Sequence, residues 1–148
     1  MPLDAAIPLG PFLVDRAGHL HLREPHLRPR IAFTWRGRPI VGRLQDGRLE
    51  IEAMLGRIPS TAGGSPERRA ALFTLLRRLP PDLPPGWRAR LLPDHRLVLD
   101  TADRMPMPFR VSALVGAITN AVLVVAPYLD LFEECGLAAG GTDSTCPG

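Results

Sequence analysis

From Val111 to Leu129 the chain runs nineteen residues without a charge, carrying Leu114, Val115, Ile118, Val122, Leu123, Val124, Val125 and Leu129. Read as a helix, this stretch is apolar on almost every side, whereas an ordinary surface helix shows one apolar stripe and a polar back. It therefore needs cover on more than one face. Two environments supply that: a protein core shared with a sheet and a second subunit, or a bilayer. The length just reaches what a bilayer crossing requires. Ser112, Thr119 and Asn120 interrupt it, Gly116 lowers its helix propensity, and Pro127 should disturb its last turns. The reading is a soluble core helix ending near Cys135-Gly136, with Gly136 as its C-cap.

A partner for that helix should be a sheet. His19-Leu20-His21-Leu22 alternates, with leucines to one side and histidines to the other. Phe12-Leu13-Val14 precedes it across the turn-forming Asp15-Arg16-Ala17-Gly18. Ile31, Phe33 and Trp35 share a face of Arg30–Arg36, and Arg36-Gly37-Arg38-Pro39 breaks that strand. Ile40–Leu44 then meets Asp46-Gly47, a strong hairpin signal, and Leu49, Ile51, Ala53 and Leu55 alternate inward on the far side. Ser65 as N-cap, Pro66 at the first helical position and Glu67 in the first turn start a short helix to Leu79, whose stripe is Leu72, Leu75, Leu76 and Leu79. Pro80–Gly86 reads as a stiff linker with no room for a helix. Trp87–Leu92 and Arg96–Asp100 are two more strands, and Thr101–Pro108 a connection.

The expected fold is thus α+β: a twisted antiparallel sheet, a middle helix and a long apolar C-terminal helix. Residues 1–11 hold three prolines and a glycine and are expected to be irregular, residues 12–137 to form one domain, and residues 138–148 a flexible tail. A chain of 148 residues is long enough for one real core. With aromatics at 5%, aliphatic side chains must build it.

All eighteen basic residues are arginine and lie at or before Arg110, against eleven carboxylates there; that part carries +7 and the remainder −4. Such a balance suits an acidic partner or nucleic acid, but in sequence the arginines are scattered. No nucleic-acid binding is expected. The start of the sequence lacks the pattern of a secretory signal, and Cys135 and Cys146 have neither metal-ligand nor CxxC spacing, so a cytoplasmic location is the default.

No chemistry assembles on paper. Glu50 and Glu52 share a strand face, as a pair dividing acid and base work would, but have no histidine or nucleophile near in sequence. His19 and His21 share another face without a cysteine pair or HExxH to make a metal site. Gly63-Gly64 precedes a helix without the GxxxxGK[ST] of a phosphate loop. The reading is a protein without catalytic residues, cofactor or metal, suited to recognising another protein through strand edges and surplus apolar helix surface.

The order of strands, middle helix, two strands and final helix, together with the apolar-Gly-x-apolar-Pro step Leu55-Gly56-Arg57-Ile58-Pro59, resembles the bacterial class I chaperones of type III secretion effectors over residues 12–134. YbjN-like proteins are similar as well. The chaperone resemblance implies a cytoplasmic homodimer that holds a partly unfolded effector segment without ATP. It implies core-lining or protein-binding roles for Phe33, Trp35, Leu49, Ile51, Leu55, Leu72, Leu76, Val122 and Leu129. A YbjN-like resemblance implies instead a small regulatory or structural domain. Two departures stand out: that chaperone family begins with a helix and is acidic, whereas this chain opens on prolines and is basic up to Arg110.

Overall fold

In the computed structural model, which describes residues 6–60 and 65–137, the chain forms two antiparallel sheets and two helices. Three strands come first: β1 (Ile7–Leu9), β2 (Phe12–Val14) and β3 (His19–Leu22). A second run of three follows, β4 (Arg30–Trp35), β5 (Arg38–Gln45) and β6 (Arg48–Arg57). After α1 (Pro66–Arg78) come β7 (Trp87–Leu91), β8 (Arg96–Arg104), the two-residue β9 (Phe109–Arg110) and α2 (Val111–Glu134). The larger sheet has the order β4-β5-β6-β8-β7, and the smaller β1-β2-β3-β9.

Turn chemistry sets the register of the larger sheet. Arg36 and Gly37 have φ of 52° and 75°, Asp46 and Gly47 of 51° and 69°, so both hairpins close through two residues with positive φ. The first hairpin pairs Trp35 with Arg38, the second Gln45 with Arg48. Pro39 opposite Thr34 is tolerated because its missing N–H faces β6 just beyond the Ile40–Ala53 pair, where that ladder stops. In β6 the register slips between Met54 and Gly56, a bulge that inserts one residue. The insertion reverses the alternation, so Ile58 turns into the core while Arg57 faces water.

One face of the larger sheet is dry. Ile40, Leu44, Leu49, Ile51, Ala53, Leu55, Leu97 and Leu99 are all buried there, as the alternation predicts. Leu72 of α1, Leu79 at its C-cap, and Leu114, Ala121, Val125, Leu129 and Phe132 of α2 complete one cluster with Phe12, Leu20 and Phe109 from the smaller sheet. Phe12 and Phe109 meet edge to face at 6.3 Å between centroids. Ser65 caps α1, its Oγ accepting from the Arg68 N–H at 3.4 Å. Gly136, at φ 93°, follows the end of α2 in the left-handed conformation expected of it.

Several expectations change. The first strand is β1, not Phe12, because a short edge strand tolerates Pro8 and the Gly10 turn folds it back on β2. Pro80–Asp82 forms a single 3₁₀ turn where no helix was expected. Thr101–Arg104 belongs to β8, extended by pairing with Arg48–Ile51, and Phe109-Arg110 joins β3. The proposed flexible tail at residues 138–148 and the Gly63-Gly64 loop lie outside the described residues.

Candidate protein-binding surfaces

Helix α2 is anchored at both ends. Its Arg110 N-cap belongs to β9, and the Val111 N–H donates to the Gly18 carbonyl at 3.0 Å. At the other end Arg36 donates to Asp130 at 2.7 Å and to Glu133 at 2.8 Å. The neighbouring Arg38, 5% exposed, donates to the carbonyls of Leu55 and Arg36 and contacts the second oxygen of Glu133 at 2.8 Å. The Tyr128 hydroxyl donates to the Asp82 carbonyl at 2.8 Å, tying the middle of α2's last turns to the segment after α1.

Between those anchors only one face of α2 is covered. Leu123 is 67% exposed and Val115 55%, with Leu131 further along at 39%. The expectation of cover on several sides is therefore not met within this chain. By length and composition α2 suffices for a membrane span: its best eighteen-residue window has a mean hydropathy of 1.8 and is 17% buried. Insertion would, however, withdraw Leu114, Ala121, Val125, Leu129 and Phe132 from the cluster they share with both sheets.

The second surface is the outer face of the larger sheet. Asp100, on β8, is held there by Arg88 at 2.8 Å and by Arg90, which also reaches Glu52 at 3.2 Å. Beside this network Val98, flanked in register by Met54 and Arg90, is 1% exposed. Long arginine stems can cover such a side chain while their charges stay wet. Glu50 and Glu52 do lie on that face, but Glu52 is ion-paired and Glu50 is exposed. At the opposite end of the face Arg30 stands directly across from Arg43, and Arg48 across from Arg104. Among the described residues none of these four exposed guanidinium groups has an ion-pair partner, and in sequence they are up to 74 positions apart.

A cavity of about 340 Å³ opens near the Asp46-Gly47 turn, walled by Leu22, Leu27, Leu44, Met105 and Met107 with Arg28 and His26 among its polar groups. None of Glu50, Glu52, His19, His21 or His95 lines it. The two strand histidines instead surround Asp15. Its carboxylate accepts from His21 Nε2 and from the backbone N–H of Ala17 and His19, each at 2.9 Å. The His21 hydrogen bond, followed by the His19 backbone bond, pulls the Asp15 pKa down to about 2. Among the described residues no cluster of three or more metal-ligating side chains occurs.

The residues singled out from the sequence divide in two. Leu49, Ile51, Leu55, Leu72 and Leu129 are buried in the chain's own core. Phe33, Trp35, Leu76 and Val122 are half-buried at its margin. The surfaces that remain open were not among them: Leu123 and Val115 belonged to a segment read as covered, and the arginine pairs appear only once strand register is known. Compared with protein-family models, with curated proteins and with solved structures, the chain matches none.

Proposed function

We propose that this protein is a non-catalytic, cytoplasmic homodimer that holds a segment of another polypeptide, in the manner of the secretion chaperones its element order resembles. The observation that carries the reading is the outer face of α2: Leu123 and Val115 are more than half exposed on a helix with no charge between Arg110 and Asp130. A face of this kind suits an isologous contact, because two copies meet across a two-fold axis without like charges in apposition. A helix of 24 residues extends about 36 Å, enough to seed the contact, with the flanking sheet margin at Phe33 and Trp35 adding area.

The dimer is tested by light scattering coupled to size exclusion, on the wild-type chain and on Leu123→Glu. The expected result is a dimer that the variant converts to a folded monomer. A wild-type monomer at micromolar concentration would remove the support for the reading. Holding of a client is tested by purification from native cells, identification of the bound chain and hydrogen exchange on it; a client that is fully protected as a folded domain would contradict the holding role.

A further inference from the structure

The outer face of the larger sheet carries an imbalance that the fold itself does not resolve. Arg30 opposes Arg43, and Arg48 opposes Arg104, in register on neighbouring strands. Like charges directly opposite each other destabilise a sheet. At the other end of the same face Arg88 and Arg90 are neutralised by Asp100 and Glu52. Two exposed carboxylates without an ion pair among the described residues stand close by, Glu50 opposite Arg43 and Asp46 two residues before Arg48 on the cavity wall, which leaves the four arginines in excess. The arginines occupy four adjacent strands, β4, β5, β6 and β8, a zone about 14 Å wide.

The cavity adjoins this zone through the chain. Arg28 lines it two residues before Arg30, Gln45 on its wall pairs with Arg48, and Met105 follows Arg104. Methionines adapt their shape to irregular apolar guests, and arginine forks match carboxylates in two-point contacts.

We propose that the arginine end of the open sheet face, together with the methionine-lined cavity beside it, docks an acidic polypeptide segment that also carries an apolar side chain. The carboxylates lie over Arg30, Arg43, Arg48 and Arg104, and the apolar side chain enters between Met105 and Met107. The extent of the patch favours this occupant over nucleic acid. A uniformly charged phosphate backbone continuing beyond the zone along the face would meet Glu52 and Asp100, and among the described residues the face presents no aromatic ring on which a base could stack. A peptide can concentrate its acids where the arginines are. The proposal rests on the reading that this chain holds another polypeptide, and it names the chemistry of the segment held.

The test is fluorescence anisotropy with a short labelled peptide of alternating glutamate and leucine, on the full chain. Binding is expected to weaken with added salt and to fall about tenfold or more in the double variant Arg48→Glu/Arg104→Glu. A glutamate and serine peptide of equal charge should bind more weakly than the leucine-containing one, reading out the cavity. The single variant Arg48→Glu places opposite charges across the β6–β8 pair, so its Tm should rise, by about 2 °C, while its peptide affinity drops; an unfolded variant is thereby distinguished from one that is folded and cannot bind. Equal affinity in wild type and double variant would overturn the proposal. So would tighter binding of a short DNA duplex, or of phosphatidylserine vesicles, lost through the same substitutions. Because these positions lie away from α2, light scattering on the same samples separates the two failures: a dimer that ignores the peptide sinks only this inference, and a monomer sinks the dimeric reading.

Discussion

Arg38 Nη1 lies 2.8 Å from Glu133 Oε1, joining the first residue of β5 to the last turn of α2 across 95 positions of sequence. The guanidinium is nearly sealed from water, its side chain 6% exposed, and its Nε donates to the Leu55 carbonyl. Arginine is the side chain that can serve a carbonyl and a carboxylate at once from one planar group.

Arg38→Met should therefore cost about 2–3 kcal/mol, because the Leu55 carbonyl loses the Arg38 donor and Glu133 keeps only its contact with Arg36. Glu133 is 36% exposed, so water recovers part of the loss and the upper end of buried ion-pair costs does not apply. Urea unfolding of wild type and variant measures it. A change below about 0.5 kcal/mol would mean that the contact is not formed in solution.

On α2, two leucines six residues apart should behave oppositely. Leu129→Ala is expected to destabilise by about 2–5 kcal/mol because Leu129 is 0% exposed within the core. Leu123→Glu, at 67% exposure, should leave monomer stability within about 0.5 kcal/mol and act on association alone. Thermal unfolding at low protein concentration compares them.

Asp15 should make stability fall in acid. Its pKa is lowered from 3.8 to about 2 in the folded chain, chiefly by the His21 hydrogen bond. A depressed carboxylate contributes stability that is present above 3.8 and disappears as pH drops toward 2. Carbon-detected NMR titration of the Asp15 carboxyl should give a midpoint near 2, and Asp15→Asn should flatten this part of the stability profile. An Asp15 midpoint at 3.8 would refute the geometry.

Ser65→Ala should cost about 0.5–1 kcal/mol, the smaller part of the usual N-cap range, because its 3.4 Å bond to the Arg68 N–H is long. The Ser65 hydroxyl also donates to Glu67 at 2.6 Å and so lowers the Glu67 pKa. Circular dichroism during denaturation, with Ser65→Asp as the preserving substitution, measures the loss.

Local signals explain which elements the sequence revealed. Asp46-Gly47, the inward Leu49-Ile51-Ala53-Leu55 alternation and the Ser65-Pro66-Glu67 start each act within a few residues, and each reappears in the structure. The elements that escaped depend on distant partners. β1 exists through pairing with β2, and β9 through His19 and Leu20, although their own residues are few, with Pro8 inside the first and Pro108 just before the second. The apolar run of α2 announced a helix but not how much of it the rest of the chain would cover. The arginine pairs joining residues 30 with 43 and 48 with 104 were invisible for the same reason: register is settled by turns and bulges, and composition records only that the charges exist.

Because α2 is stitched to β9 at its start and clamped by Arg36 and Arg38 at its finish, it fastens the small sheet to the large one like a bolt through two plates. The partner proposed above would meet a helix held at both ends instead of a swinging arm. Any load on the helix would be shared between the two plates.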